Sequence, residues 1–234
     1  MLTMQVIPQV YQLTVRYNNI FLIVEDKLTM IDTGFRRNPA GVIDFIHSLG
    51  RSPEEIKLII LTHNHVDHTG GLAEVRKLTK AQIAAPRIDF TLGKDVLPYP
   101  GGKFLGKVLQ VPALSSIRNR LVIRAGEIDV LLDGGEVFPV LGELRVILTP
   151  GHTAGSISLY SSQKKLLFVA DALKKRHGVL SLPLKTATTD LNQAVASVEK
   201  MTQLDIETLC FGHGRPITED AKGRLMRLLE KVKN

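Results

Sequence analysis

Four residues of the kinds that bind metal ions are concentrated in one short stretch of this chain. The stretch, LTHNHVDHTGG, contains His63, His65, Asp67 and His68. Imidazole nitrogen and carboxylate oxygen are ligands that zinc and similar ions accept. If His63 and His65 end a strand they share one face, because side chains alternate with a period of two. Asp67 and His68 then face a second position, so the spacing favours two neighbouring metal positions.

A cluster of histidines in a solvated loop is the alternative interpretation of this stretch. A single His-x-His pair would not distinguish the two interpretations. Four potential ligands within six residues, directly after the apolar run 56–61, favour the metal site.

Further candidate ligands follow other apolar runs. The chain has seven histidines; besides those already named, His152 and His213 each follow a glycine, which allows the backbone to turn sharply near an ion. Asp171 ends the run LLFVAD, where a carboxylate needs a cation or several hydrogen-bond donors. His47 lies in a predicted helix and His177 in a basic run, and both are expected to have ordinary surface roles.

Length and composition limit the classes of protein. A chain of 234 residues with 44% apolar residues suits one α/β domain. The net charge of +7 favours anionic partners, nucleic acid among them, but fits a basic surface equally well. Cys210 is the only cysteine, which excludes an intrachain disulfide. No signal peptide or membrane-length apolar stretch is evident, so we expect a cytoplasmic protein that does not act in a membrane.

The spacing of apolar residues predicts the elements that position these side chains. Strands are predicted at 9–16, 19–24, 28–31, 56–61, 83–85, 128–132, 137–140, 144–149, 156–161, 166–170 and 208–211. Helices are predicted at 39–50, with Asn38 as N-cap and Gly50 at the end, and at 71–80, 190–204 and 218–233. Repeated prolines and glycines make the segment 86–124 either a substrate-covering insertion or an ordinary surface excursion.

An internal repetition suggests how these elements are arranged. An apolar strand ending in threonine precedes both His63 and His152, and an apolar strand ending in aspartate supplies Asp32 and Asp171. This predicts two similar sheet-and-helix halves, with the ligands gathered at loop ends.

Together these motifs resemble the metallo-β-lactamase superfamily. The supporting motifs, in addition to His-x-His-x-Asp-His at 63–68, are Asp32-Thr33-Gly34, Pro150-Gly151-His152-Thr153 and Gly212-His213-Gly214. The resemblance extends over most of the chain, from Val10 to Pro216. It implies an α/β fold, the αβ/βα four-layer sandwich of that family with two similar halves, as a single domain over 1–234.

The resemblance also implies a ligand set for two divalent metal ions, zinc first, with iron or manganese accepted by the same ligands. One ion would be bound by His63, His65 and His152, the other by Asp67, His68 and His213, with Asp171 bridging the two. Asp32 would orient a ligand histidine through a hydrogen bond, although an aspartate that caps a turn is the alternative.

The activity expected from this set is hydrolysis of small esters, thioesters or lactones. Two close ions hold a bridging hydroxide at neutral pH, which would be the nucleophile, and they polarise the substrate oxygen. Asp67 would orient this nucleophile or accept its proton. The substrate is expected to be a small molecule, and the oligomeric state is left open.

Departures from the family's patterns separate the branches. A bridging aspartate such as Asp171 is typical of thioesterases, lactonases and phosphodiesterases, so β-lactam hydrolysis is expected as a side activity at most. The segment 172–177, Ala-Leu-Lys-Lys-Arg-His, does not match the glycine-, cysteine- and arginine-bearing segment typical of glyoxalase II enzymes, and no tyrosine lies between Asp171 and Asp190, where lactonases often have one. The alternatives are a phosphodiesterase or nuclease, favoured by the positive charge, a mononuclear iron persulfide dioxygenase, and a non-catalytic metal-binding scaffold.

Overall fold

The chain folds into two compact units, each built from hydrophobic strands and amphipathic helices. The computed structural model describes residues 1–91, 127–176 and 178–233. The units are Met1–Leu131 and Leu132–Asn234, and each has its own buried hydrophobic core. Each consists of a sheet and helices, as the internal repetition of the sequence predicts.

The described part of the first unit contains a mixed seven-stranded sheet with its strands in chain order. The first four strands pair antiparallel, whereas β5 pairs parallel with both β4 and β6. Because carboxyl ends of parallel strands meet at one edge of a sheet, the loops that follow β4 and β5 leave the same edge. The strands are β1 (Leu2–Ile7), β2 (Val10–Val15), β3 (Asn18–Val24), β4 (Leu28–Ile31), β5 (Ile56–Ile60), β6 (Gln82–Pro86) and β7 (Val130–Leu132).

Four helices are described in this unit: α1 (Pro39–Ser48), α2 (Val66–Thr69), α3 (Leu72–Leu78) and α4 (Arg87–Thr91). The residues Pro53–Glu55 add a 3-10 turn. Helix α1 buries Val42 and Ile46 and ends as predicted, with Gly50 at φ +70°. The amide of Gly50 donates to the carbonyl of His47, and that of Arg51 donates to the carbonyl of Ile46. This is the paired hydrogen-bond pattern that commonly ends helices at a left-handed glycine.

The start of α1 corrects one detail of the sequence analysis. Pro39 is the first helical residue, as predicted, but the Asn38 side chain makes no capping hydrogen bond. Capping residues generally have an extended backbone. Asn38 is itself in the helical region, at φ −66° and ψ −34°, so its side chain is not directed at the first amides.

The second unit has a five-stranded sheet in the order β14-β11-β10-β9-β8 among the described residues, beside a short hairpin of β12 and β13. Strand β10 pairs antiparallel with β9 and β11, and β11 pairs parallel with β14. The carboxyl ends of β9, β11 and β14 therefore lie at one edge. The strands are β8 (Val137–Phe138), β9 (Leu144–Leu148), β10 (Ile157–Ser161), β11 (Leu166–Ala170), β12 (Lys174–Arg176), β13 (Val179–Ser181) and β14 (Thr208–Phe211).

Two α-helices are described in this unit, α5 (Leu191–Thr202) and α6 (Ala221–Lys233), with a 3-10 turn at Lys185–Ala187. Helix α5 starts as predicted, because the Asp190 carboxylate accepts hydrogen bonds from the amides of Asn192 and Gln193. Helix α6 starts later than the predicted residue 218. Ile217 exchanges backbone hydrogen bonds with Leu209, which keeps the preceding segment extended.

Several described elements were not predicted as such. These are the separate first strand β1, the short helices α2 and α4, and the hairpin of β12 and β13. The predicted insertion at 86–124 begins with the last residue of β6 and with α4, and the rest of it lies outside the described residues. The single domain over 1–234 remains a prediction.

Candidate metal centre

The first pair of predicted ligands lies in the loop that follows β5, where the chain bends at His63 and Asn64. His63 is fully buried, and its Nε2 atom lies 3.1 Å from Nδ1 of His65. The Thr62 hydroxyl lies 3.0 Å from the other ring nitrogen of His63. The two histidines thus direct ring nitrogens towards a common point, although the strand that was predicted over 56–61 ends at Ile60 and the two rings meet across a bend.

The second pair projects from the single turn of helix α2, where the sequence analysis expected a turn. Oδ2 of Asp67 lies 3.8 Å from Nε2 of His68, which is fully buried. The rings of His63 and His68 are tilted against each other with their centroids 4.1 Å apart. Both pairs of ligands therefore lie within a few ångströms of each other in the first unit.

Asp32 makes a hydrogen bond to a candidate ligand histidine, as the family resemblance implies. The residue is 3% exposed, and its backbone has φ +59°, a left-handed conformation that few residues other than glycine adopt. Its Oδ2 atom lies 2.7 Å from Nδ1 of His68, and its Oδ1 accepts the backbone amide of Thr62 at 2.8 Å. An imidazole that donates Nδ1–H to a carboxylate leaves Nε2 to act as a ligand, and this atom of His68 is the one nearest Asp67.

Asn18 is a residue of this region that the sequence analysis did not single out, because it lies between the predicted strands 9–16 and 19–24. It is the first residue of β3 and is fully buried. Its Nδ2 atom donates to the backbone carbonyl of Asp67 at 2.9 Å and to Oδ2 of the same residue at 3.0 Å. Asn18 therefore fixes the position of the Asp67 carboxylate. The available signal was a polar residue at the head of the apolar strand NNIFLIV.

Backbone contacts hold helix α2 against the loop that follows β4. The amide and hydroxyl of Thr33 both donate to the carbonyl of His68, at 2.6 and 3.0 Å. The amide of Gly71 donates to the carbonyl of Gly34, and a Cβ atom at Gly71 would lie only 2.4 Å from the carbonyl oxygen of Thr33. The glycine after the histidine cluster is thus required by close backbone packing.

In the second unit, the three predicted ligands lie at the common edge of the sheet. His152 follows β9, Asp171 follows β11 and His213 follows β14. One oxygen of Asp171, Oδ2, lies 3.5 Å from Nε2 of His152 and 3.2 Å from Nε2 of His213. A carboxylate oxygen between two imidazoles is the arrangement expected of a ligand shared by two metal positions.

The loop that carries His152 is anchored on the start of helix α5. The carbonyl of Gly151 accepts hydrogen bonds from the amides of Thr189 and Asp190 and from the Thr189 hydroxyl, at 2.8 to 3.0 Å. Gly151 has φ +140°, and a Cβ atom there would lie 2.5 Å from the amide nitrogen of Ala194. Only glycine fits this contact without a shift of the backbone.

Three other residues with side chains that could take part in chemistry are His47, His177 and Cys210. His47 is exposed at the end of α1, and His177 lies outside the described residues. Cys210 is buried in β14, and burial raises the pKa of its thiol well above the ordinary range. A neutral thiol is a poor nucleophile, so Cys210 does not compete with the histidine and aspartate residues for a chemical role.

Comparison with known proteins identifies the family. Residues 13–213 match the model of the metallo-beta-lactamase superfamily, a range that contains every predicted ligand. The chain belongs to the metallo-β-lactamase superfamily. It is therefore a metallo-hydrolase of this superfamily, with histidine-rich candidate metal sites.

Two relatives illustrate the range of this superfamily. The probable metallo-hydrolase YflN of Bacillus subtilis is 29% identical, with 89% of this chain and 85% of the relative covered. A hydroxyacylglutathione hydrolase of Nitrobacter hamburgensis is 28% identical over 67% of this chain, and the chain spans about half of that relative, 48%.

Solved structures confirm the predicted α/β sandwich fold. The metallo-beta-lactamase family protein TTHA1429 of Thermus thermophilus has a TM-score of 0.68 and 22% identity, covering 98% of this chain and 81% of its own. BJP-1, a subclass B3 metallo-beta-lactamase of Bradyrhizobium japonicum, has a TM-score of 0.69 and 24% identity, covering 99% and 90%. At these identities the likeness concerns the fold alone. None of the described helices is long and apolar enough to cross a membrane.

Proposed function

We propose that this metallo-hydrolase cleaves small carboxylic esters, thioesters or lactones with two divalent metal ions, zinc first. The proposed ligands are those implied by the family's motifs. The first ion would be bound by His63, His65 and His152, the second by Asp67, His68 and His213, and Asp171 would bridge them.

The observation that carries this proposal is the position of the Asp171 carboxylate. Its Oδ2 atom lies within 3.5 Å of Nε2 of both His152 and His213, which the proposal assigns to different ions. Two imidazoles on one carboxylate oxygen suit a bridge between two ions. The His63–His65 pair and the Asp67–His68 pair of the first unit supply the same kinds of donor atom.

The described donors fit divalent ions of the zinc class. They are imidazole nitrogens and carboxylate oxygens, and zinc, iron and manganese all accept such ligands. The carboxylate of Asp32 holds the ring of His68 with Nε2 on the side of Asp67. When bound, such ions lower the pKa of water and polarise the oxygen of the scissile bond.

Asp67 is proposed as the residue that orients the attacking water and accepts its proton. Its carboxylate accepts a hydrogen bond from Asn18, which limits its rotation and keeps one oxygen beside His68. A proton acceptor has to be held within hydrogen-bond reach of the group that it deprotonates. The buried Asn18 supplies that restraint from a core strand.

Cleavage of carboxylic bonds is favoured by the names of some relatives, whereas the proposed bridging aspartate argues only against a true β-lactamase. The hydroxyacylglutathione hydrolases among them are named for a thioester reaction. The segment 172–177 of this chain departs from the glyoxalase II pattern, so glutathione itself is not proposed as the acyl carrier. β-Lactam hydrolysis is proposed as a side activity at most.

A phosphodiesterase is the second candidate, and the positive charge favours it. The chain carries 30 lysine and arginine residues against 23 acidic ones. A net positive surface attracts polyanions such as nucleic acid. The metal ligands proposed here would serve either reaction, so the two candidates differ in the substrate alone.

The test is acid release in a pH-stat with zinc-loaded protein. The panel contains a lactone, an ester, a thioester, a β-lactam and a phosphodiester, because each of these bonds liberates a proton when hydrolysed. We expect turnover of a carboxylic ester, thioester or lactone that a chelator abolishes. Turnover of the phosphodiester alone would replace the proposal with the second candidate. Silence across the panel would reject both and direct attention to iron-dependent persulfide oxidation.

A pair of histidine variants controls for metal binding. His65→Ala should reduce the bound metal and the activity together. His47→Ala removes an exposed histidine at the end of α1 and should change neither quantity. Unchanged metal content in His65→Ala would contradict the proposed ligand set.

A further inference from the structure

Two basic side chains contact the backbone at or near the hairpin of β12 and β13, and a third, that of Arg215, lies close enough for its charge to act on one of them. The Nζ atom of Lys175, in β12, donates to the carbonyl of Pro216 at 3.0 Å, which places it next to Arg215. Nη1 of Arg224, in helix α6, donates to the carbonyl of Gly178 at the turn of the hairpin, at 3.1 Å. Carbonyl groups thus hold Lys175 and Arg224 in place, and the charges of Arg215 and Arg224 both act on the ammonium group of Lys175.

The charges of this basic cluster are poorly compensated. Lys175 is half-buried, and the pKa of its ammonium group is lowered by burial, then by the positive charges of Arg224 and Arg215. No ion pair involves Lys175 or Arg215 within the described ranges of the chain. Asp220 is near enough to feel the charge of Arg224, but its carboxylate is hydrogen-bonded to Arg227.

Lys165, in the same unit, is a lysine whose charge is compensated by neighbouring carboxylates. It forms ion pairs with Asp205 at 3.2 Å and Glu207 at 2.9 Å, and these hydrogen bonds raise its pKa. An unpaired cluster of like charges costs free energy that a bound anion recovers. Two of its members are guanidinium groups, whose forked donors match phosphate oxygens.

The position of the cluster in the chain relates it to the candidate metal centre. Strand β12 begins three residues after Asp171, and Arg215 lies two residues after His213. An anion bound here is therefore held by the same strand-end segments that carry two proposed ligands.

We propose that Lys175, Arg215 and Arg224 form a binding site for a phosphate group. The group is either free phosphate or part of a substrate, and the two sources share the same chemistry. Phosphate binding at this site does not depend on which bond the metal centre cleaves. Only the assignment of the phosphate group to a substrate rests on the proposed function.

The test measures binding of inorganic phosphate by calorimetry at low, constant ionic strength, with chloride as the reference anion. Phosphate binding is measured first with metal-loaded protein. It is then measured with chelator-treated protein, in which no phosphate can bind to a metal ion. Losing one charged hydrogen bond weakens binding about tenfold, so Arg215→Gln and Lys175→Gln should each raise the phosphate Kd by about that factor. Lys222→Gln, also in α6, changes the net charge equally and is the matched control.

Two arms separate the sources of the phosphate group. An ester with a terminal phosphate on its acyl chain is compared with the same ester without it. A lower KM for the phosphorylated ester, lost in Arg215→Gln, assigns the site to the substrate; equal KM values with phosphate still bound assign it to free phosphate. The proposal fails if phosphate binds no better than chloride, or if Lys222→Gln weakens binding as much as Arg215→Gln. If the protein has no esterase activity, the proposed function fails, but the calorimetric measurement of phosphate binding still tests this site.

Discussion

Gly151→Ala should distort the loop that carries His152. The contacts of this glycine give the approximate loss in the free energy of unfolding. The new Cβ atom would lie 2.5 Å from the amide nitrogen and 2.6 Å from the Cα atom of Ala194. Both are backbone atoms of α5, so the overlap is relieved only by a movement of the loop or the helix. Overpacking of this kind costs about 1–3 kcal/mol, and an alanine at φ +140° adds strain of about 1–3 kcal/mol.

Gly135→Ala separates these two costs. Gly135 also has a positive φ, +95°, but a Cβ atom there would meet nothing within 4 Å. It therefore carries the backbone strain without the collision, and the difference between the variants should be about 1–3 kcal/mol. For a chain of this length, each kcal/mol corresponds to about 2–4 °C in Tm.

The assay is thermal unfolding of both variants with chelator present, so that metal binding does not contribute to Tm. We expect Gly151→Ala to melt several degrees below Gly135→Ala and to bind zinc more weakly in a competition titration. Equal melting temperatures would refute the argument from close packing. Equal zinc affinities would show that the position of His152 does not depend on this contact.

Three further predictions concern other residues of the two units. Asp32→Asn should weaken metal binding by about 10- to 100-fold, as loss of a carboxylate behind a ligand histidine does; unchanged affinity in a chelator competition would exclude this role. Asn18→Ala leaves the backbone carbonyl of Asp67 without its donor and should lower the free energy of unfolding by about 1–3 kcal/mol in urea titrations, whereas a loss below half a kcal/mol would contradict the buried hydrogen bond. Because the pKa of Cys210 is raised in the folded state, its contribution to stability is present below the unfolded thiol pKa of about 8.5 and is lost as pH rises above it. Above about pH 9, the free energy of unfolding of Cys210→Val should therefore fall less steeply than that of the unmodified protein, by about 1 kcal/mol per pH unit. Parallel plots of the free energy of unfolding against pH for the two proteins would disprove this.

The candidate ligands could be predicted from sequence because their signals are local. His63 and His65 are two residues apart just after an apolar strand, and this spacing is visible in the sequence even though the two residues lie in the following loop and not in the strand. The start of helix α5 at Asp190 could be predicted for a similar reason, since an aspartate before an amphipathic segment caps a helix by accepting hydrogen bonds from the amides two and three residues later. The order of such motifs along the chain identified the family and, through it, the fold.

The residues that sequence analysis missed depend on contacts between distant parts of the chain. Asn18 bonds Asp67 across 49 positions, and no local pattern marks that pairing. The hairpin of β12 and β13 was missed because its first strand is Lys174-Lys175-Arg176, which has no alternation of apolar and polar residues. The late start of α6 likewise follows from the backbone pairing of Ile217 with Leu209.

The shared carbonyl of Gly151 has a consequence for hydrogen exchange. The amide protons of Thr189 and Asp190 both point at this one oxygen, so neither is exposed to solvent exchange unless the His152 loop separates from the start of α5. Their exchange rates therefore measure a single local opening, with a free energy of its own below that of global unfolding. Two backbone amides that carry no side-chain chemistry thus report how often a proposed metal ligand leaves its place.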